Sequence, residues 1–331
     1  MITKKELIAN PSKVRPHVVI LGAGASKQAF FDGDANGNKL PLMSDLIKIV
    51  GLEEALSEFG ISSRTNNFEE LYSRLYEENQ KSDLIQKIEK KTYSYFDNLK
   101  LPDFPTLYDH LLLSLRSKDA IATFNWDPFL MDAWERNIDF PSLPEIIHLH
   151  GNVRLGYCFE HGVLGSKRIY CPECDRPLTP TKLLYPTSKK NYSADPSIKS
   201  EWERLRKLLS SAFTLTIFGY SKPSTDMEAV QLLKSGWRKR GERELETIEI
   251  IDIADQQTVV NNWKEFYNRQ HYIYHKDFYN SWIPNHARRT VESLMVPTVH
   301  GDFVDNYSLP KDYNFEHLHS WFRNLIKPEG Y

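Results

Sequence analysis

Cysteine is scarce in this chain of 331 residues: there are three, an odd number, all between Cys158 and Cys174. Three clustered thiols cannot build a disulfide framework. They suit a reducing compartment and metal ligation instead. An excess of charge of one sign is also missing. Lys and Arg total 42 against 44 Asp and Glu, a formal net charge of -2, and no long basic run exists. Strong intrinsic nucleic-acid binding is therefore not expected. The one local basic stretch, WRKR at Trp237–Arg240, reads as a solvated helix face. No run approaches the roughly 18 apolar residues of a membrane span, so no membrane association is expected. The opening MITKKELIANPSKVRP has no apolar core of the kind a secretory leader needs, and a cytoplasmic protein is expected. No internal repeat interrupts the chain.

What is present is enough apolar material for a sizeable core, 40% of residues. The length suits about two domains, or one large domain with insertions. The run HVVILG (17–22) is apolar, β-branched and stopped by glycine, which predicts a strand buried on both faces of a parallel sheet. Ala120–Thr123, Leu215–Gly219 and Ile248–Ile253 repeat that pattern. Helical stretches fall between them at Phe68–Glu78, Ser82–Leu99, Leu107–Ser117, Lys199–Ser210 and Met227–Lys239. The alternation predicts a doubly wound α/β fold, in which ligands bind beyond the carboxyl ends of the strands. Residues 45–118 read as a helical insertion and 152–198 as a small metal-pinned module. The tail, 256–331, is rich in aromatics and reads as an extension packed on the domain or forming an oligomer interface.

The chemistry-bearing residues gather at those strand ends. In LGAGAS, Gly22 and Gly24 permit a tight turn, and the N–H groups that follow can hold a pyrophosphate. Lys27 stands where the usual dinucleotide fingerprint has its third glycine, so an ordinary dehydrogenase is not indicated. TFNWDP places Asn125 and Asp127 just past a strand. There an amide and a carboxylate can bind sugar hydroxyls or position a water, although the same residue types also simply make turns. HLHG predicts a strand over Ile146–Leu149 with His148 and His150 on one face. His150, followed by Gly151, is the candidate general base. Finally, Cys158-x2-His161 and Cys171-x2-Cys174 have the spacing of a closed tetrahedral zinc site, structural and not catalytic.

The order of these motifs resembles the sirtuin (SIR2-like) superfamily. GAGAS (22–26), TFNWD (123–127), HLHG (148–151), the Cys158/His161/Cys171/Cys174 set and FGYS (218–221) follow one another as that family's motifs do, over about residues 17–255. The resemblance implies a SIR2-like NAD-binding domain over 1–255 with a Rossmann-like sheet. It implies that Gly22, Ala23, Gly24, Ala25 and Ser26 contact the ADP-ribose part of NAD. Asn125 would lie by the nicotinamide ribose, with Asp127 beside it, and His150 would act as base toward the ribose hydroxyls. Gly219, Tyr220 and Ser221 would line the phosphates and adenosine ribose, and Asp252 would bind that ribose.

Two departures bear on the reaction. Deacylating sirtuins follow the glycine motif with Gly-Ile-Pro-Asp-Phe-Arg, whereas this chain runs KQAFFDGDANGNKLPLMSDL. They carry a Phe-Gly-Glu stretch after the zinc module, where this chain reads TKLLYPTSKKNY (181–192). With both acyl-lysine elements missing, the chain looks nearer to bacterial SIR2-like effectors of anti-phage defence. The implied activity is cleavage of NAD to nicotinamide and ADP-ribose, with NAD as substrate and Zn2+ as structural ion. The implied partners are further copies of the chain, or an ATPase, helicase or Argonaute-like protein. The competing readings are an NAD-dependent deacylase or ADP-ribosyltransferase, and a non-catalytic ADP-ribose sensor.

Overall fold

The chain forms a six-stranded parallel sheet with helices on both faces. The computed structural model describes all residues except 1, 13–14, 62–66, 79–82, 188–191, 223–225, 238–242, 244, 268–270, 303 and 331, and at residue 300 the backbone alone. The basic stretch predicted at Trp237–Arg240 therefore lies mostly outside the described residues, as does part of 181–192.

The strands are β1 (His17–Leu21), β2 (Ala120–Thr123), β3 (Glu145–His148), β7 (Thr214–Phe218), β8 (Thr247–Ile251) and β9 (Tyr272–His275). Their order is β3-β2-β1-β7-β8-β9, all parallel. The chain winds outward from β1 to one edge and then returns to β1 to build the other. The direction of winding thus reverses between β1 and β7, the kind of position beyond which open α/β sheets bind their ligands. Strands β1, β2, β7 and β8 are buried at every residue. That is why they read as unbroken apolar runs and not as alternating ones.

Alternate side chains serve two cores. Val19, Leu21, Ile121, Phe218 and Ile251 face one. It is covered by α3 (Leu46–Ile49), α4 (Glu53–Glu58), α5 (Phe68–Glu77), α6 (Asp83–Asp97) and α7 (Leu107–Ser114), with α8 (Phe129–Arg136) after β2. All eight residues of α7 are buried, so its sequence lacks a polar stripe. Val18, Ile20, Ala122, Ile147, Ile217 and Ile250 face the other core, under α9 (Pro196–Ser211), α10 (Met227–Trp237) and α11 (Gln256–Trp263). Helix α9 begins where Asp195 accepts the N–H groups of Ser197 and Ile198, with Pro196 at its first position. It also seals the edge of the sheet. Buried Glu201 accepts the β3 N–H of His148 at 2.7 Å, closing an edge donor that another strand could otherwise use.

The short helices α1 (Lys4–Ala9) and α2 (Ala23–Ala29) flank β1. After β9 come α12 (Trp282–Asn285), α13 (Thr290–Met295) and α14 (Phe315–Ile326). These are tied down by buried ions: Arg288 and Arg289 both pair with Glu329, and Arg116 pairs with Glu292. Trp282 donates its N–H to Glu249, which lies fully buried in β8. Between β3 and α9 a second, antiparallel sheet forms from β4 (Leu155–Cys158), β5 (Val163–Ser166) and β6 (Thr179–Pro180), in the order β5-β4-β6. Among the described residues no helix is long and apolar enough to cross a membrane.

Candidate functional site and metal centre

Five of the predicted segments lie at the carboxyl ends of the parallel strands. Gly22 follows β1, Asn125 lies two residues past β2, His150 two past β3, Gly219 directly after β7 and Asp252 directly after β8. Thr123 and His148 are register partners at the ends of neighbouring strands, and Asn125 and His150 each follow two residues later.

The two glycine turns meet backbone to backbone. Gly22 N–H donates to Phe218 O at 2.9 Å and Gly24 N–H to Gly219 O at 3.0 Å. A Cβ at Gly22 would lie 2.4 Å from Gly219 O, and one at Gly219 would lie 2.2 Å from Ala25 N. Gly219 also has φ +63. Close packing of these two turns therefore demands the glycines before any ligand is considered, which adds a structural reason to the pyrophosphate one. At this crossing Ala23, Gly24 and Gly219 keep part of their surface, Ser221 is exposed, and Ala25 and Tyr220 are buried. Asp252 is half-buried, and its Oδ1 accepts Ala254 N–H at 2.9 Å.

Beneath the turn lies a closed hydrogen-bonded group. The Asn125 amide nitrogen donates to Gly22 O and to Ser26 Oγ, both at 2.9 Å. A carbonyl can only accept, so the Gly22 contact fixes which end of the amide is the NH2. Ser26 Oγ lies 2.6 Å from Asp127 Oδ2 and 2.6 Å from Tyr108 Oη. Asn152 donates to the carbonyls of Asn125 and Asp127, holding that loop in place. Burial pushes the Asp127 carboxyl up to about 6, opposed by the hydrogen bond from Ser26. Asp127 and Ser26 are thus turned toward each other. Asn125 Oδ1 accepts nothing from any described residue, yet it is not among the atoms sealed from solvent. It is the acceptor this group presents outward.

His150 stands against an aromatic wall. Phe124 meets its ring edge-on at 4.8 Å, Tyr192 stacks at 5.7 Å, and Phe124 in turn stacks on Tyr220 at 4.2 Å. Its Nε2 lies 2.9 Å from Tyr192 Oη. Burial keeps the Tyr192 phenol protonated. Gly151 has φ +73, and a Cβ there would lie 2.3 Å from Lys182 O. The segment leaving the metal module passes at that point, with Leu184 N–H donating to His150 O at 2.9 Å. The expected strand over Ile146–Leu149 stops at His148, so His148 and His150 do not share a strand face. His148 is buried with neither ring nitrogen hydrogen-bonded to a described residue. Burial lowers it to about 3, and it stays neutral.

The metal centre is assembled as its spacing predicts. One ligand atom from each of Cys158, His161, Cys171 and Cys174 lies within 4.8 Å of the others. Cys158 Sγ is 3.5 Å from His161 Nδ1 and 3.9 Å from Cys174 Sγ, and Cys171 Sγ is 3.8 Å from His161 Nδ1. A tetrahedron with zinc–sulfur bonds of about 2.3 Å has edges of about 3.7 Å, so the four residues fit zinc. Two matching turns deliver them. Gly162 N–H donates to Cys158 O and Asp175 N–H to Cys171 O, each four residues on. Gly162 and Asp175 both sit in the left-handed region, at φ +67 and +53. The His161 ring beside Cys158 lowers that thiol's pKa, favouring the thiolate a metal needs.

Sequence reasoning missed Tyr108, Tyr192 and Phe124. Tyr108 sits in a helix that reads as ordinary core, and Tyr192 in a stretch without periodicity. Only Phe124, inside TFNWD, stood next to a recognised motif.

No protein-family model and no curated protein matches the chain. Solved structures do. They include a Sir2 homolog–NAD complex at 15% identity and TM-score 0.40, covering 91% of this chain and 94% of that one. A Sir2 bound to an acetylated peptide matches at 14% and 0.36, covering 90% and 96%. A Sir2–p53 peptide–NAD+ complex matches at 14% and 0.35, covering 91% and 99%. Similarity at these levels leaves what the chain binds and does to its own residues.

Proposed function

We propose that this chain hydrolyses NAD to nicotinamide and ADP-ribose, as an effector of bacterial anti-phage defence acting by NAD depletion. The observation that carries the reading is the Asn125 amide. It is pinned through its NH2 to the Gly22 turn and to Ser26, with Oδ1 left as an outward acceptor, two residues past β2 as His150 is two past the neighbouring β3. An acceptor there holds a ribose hydroxyl or a water by its O–H.

The chemistry needs little beyond placement. The bond between ribose C1′ and the nicotinamide nitrogen breaks, and its electron pair goes to the cationic ring, which leaves neutral. Water then adds to C1′ and loses a proton. Asn125 orients the hydroxyl or water, and His150 takes up the proton. The aromatic wall of Phe124, Tyr192 and Tyr220 shields the developing cation from bulk water. Gly22 to Ser26, Gly219 to Ser221 and Asp252 would hold the ADP-ribose part, with Asp127 fixing Ser26 and the loop of Asn125. The zinc ligands take no step in the reaction and shape the module beside it.

Hydrolysis is preferred over deacylation because the chain lacks both the Gly-Ile-Pro-Asp-Phe-Arg and the Phe-Gly-Glu stretches of deacylating sirtuins. Thr181 N–H donates to Leu155 O and Leu184 N–H to His150 O. These two backbone groups are paired within the chain. The test is NAD loss followed by product chromatography, with an acylated peptide in a parallel reaction. Equal amounts of nicotinamide and ADP-ribose without peptide are expected. O-acyl-ADP-ribose appearing only with peptide would replace the reading by deacylation.

A further inference from the structure

Among the described residues, Tyr108 Oη has hydrogen-bond contacts only with Ser26 Oγ, at 2.6 Å, and with the Asn125 amide nitrogen, at 3.5 Å. Tyr108 and Ser26 are buried. The amide nitrogen can only donate, so the single acceptor open to the phenol's proton is Ser26 Oγ. Ser26 has one proton of its own, and its remaining partner able to accept it is Asp127 Oδ2 at 2.6 Å. The direction of every bond follows: Tyr108 donates to Ser26, Ser26 donates to Asp127, and Ser26 accepts the second N–H of Asn125. This order holds only while that oxygen of Asp127 is an acceptor. If the oxygen carried a proton, the chain would reverse and leave the buried phenol without an acceptor.

We propose that Tyr108 is a positioning residue: as head donor of a one-way relay through Ser26, it holds Asp127 as an acceptor and fixes the Asn125 amide with Oδ1 toward the substrate. The role rests on the NAD reading for its consequence, and on hydrogen-bond geometry for its existence. Tyr108 is well suited to it. Burial, with Asp127 nearby, raises the phenol so far that it stays a donor at every working pH. Burial of Asp127 works against its ionised form, and Asp132 on α8 adds repulsion. A relay of donors aimed at Asp127 supplies the opposing contribution. Tyr108 comes from α7 and Asp127 from the loop after β2, so the relay also ties the helical segment to the site.

The test uses the full chain and reads the relay directly. The side-chain carboxyl carbon of Asp127, assigned with Asp127→Asn, is titrated by NMR in the wild type, Tyr108→Phe and Ser26→Ala. Loss of either hydroxyl should move the midpoint up by at least about half a pH unit. Ser26→Ala keeps the test open should Tyr108→Phe fail to fold. In turnover of NAD, Tyr108→Phe should lower kcat about tenfold with KM within about twofold, the size of one lost hydrogen bond felt in the transition state. Its acid limb should move with the Asp127 midpoint. A midpoint unmoved in both variants overturns the relay, whatever the activity. A moved midpoint with unchanged kcat overturns the positioning role. If the wild type leaves NAD intact while the midpoint still moves, the relay stands and the NAD reading falls.

Discussion

The strand-end site and the metal module lie next to each other in sequence and are held together by opposite means. The site is fastened by the fold: Gly22, Ser26, Tyr108, Asn125 and Asp127 come from three separate stretches, each anchored in the buried sheet or the helices over it. The module has strands of four, four and two residues, and its Phe159, Ile169 and Tyr170 are exposed. Such a sheet buries too little to stand alone. Beside ion pairs such as Lys167–Asp97 and Arg168–Glu135, a metal held by the four gathered ligand atoms would supply much of its cohesion. The comparison teaches that the site should survive metal loss as a fold, whereas the module should not.

The sharpest way to break that comparison is to remove the metal. Cys171→Ser, at the buried ligand, should abolish stoichiometric zinc binding and expose residues 155–180 to proteolysis while the parallel sheet still melts cooperatively. Zinc analysis with limited proteolysis checks this, and a protease-resistant module in the zinc-free variant contradicts it. On the other side, Asn125→Ala should cost about 10²–10³-fold in kcat while zinc content stays that of the wild type. Steady-state kinetics and metal analysis on one preparation read both.

Gly219→Ala tests the crossing of the two turns. A left-handed backbone and a Cβ 2.2 Å from Ala25 N should cost on the order of 3 kcal/mol, seen as a lower denaturant midpoint with the zinc retained. A smaller effect lies deeper in the sheet. Glu249, fully buried, is pushed up to about 7 by burial, against hydrogen bonds from Trp282 and Thr216. The native state keeps a proton that the unfolded chain sheds near 4.5. Stability from this group is therefore whole below that pH and lost as the pH rises to about 7. Glu249→Gln cannot ionise and should flatten that fall, worth up to roughly 3 kcal/mol, in denaturation curves between pH 4.5 and 8. An unchanged slope would mean Glu249 keeps its ordinary pKa.

Much of this was legible in the sequence for a specific reason. The four inner strands are buried on both faces, so their apolar runs were unbroken and fell within a residue or two of β1, β2, β7 and β8. The metal ligands were legible because two short turns bring them together with no long-range pairing. Strand β9, YIYH, was not read, since its half-buried, partly polar residues carry no unbroken run. Nor was the part proposed for Tyr108, because a tyrosine inside a leucine-rich, wholly buried helix looks like core until the opposite strand end is known. His148 shows the same limit. Its pairing with His150 on one face assumed that the strand continued, and the strand ends two residues short of His150.

The claim that the strand-end group does the chemistry while the module only shapes its surroundings is tested most directly by nicotinamide release from NAD. Wild type and Asn125→Ala should be compared on samples of matched zinc content. The account predicts release by the wild type and a loss of at least about a hundredfold in Asn125→Ala at about one zinc per chain in both. Release by Asn125→Ala at the wild-type rate would contradict it.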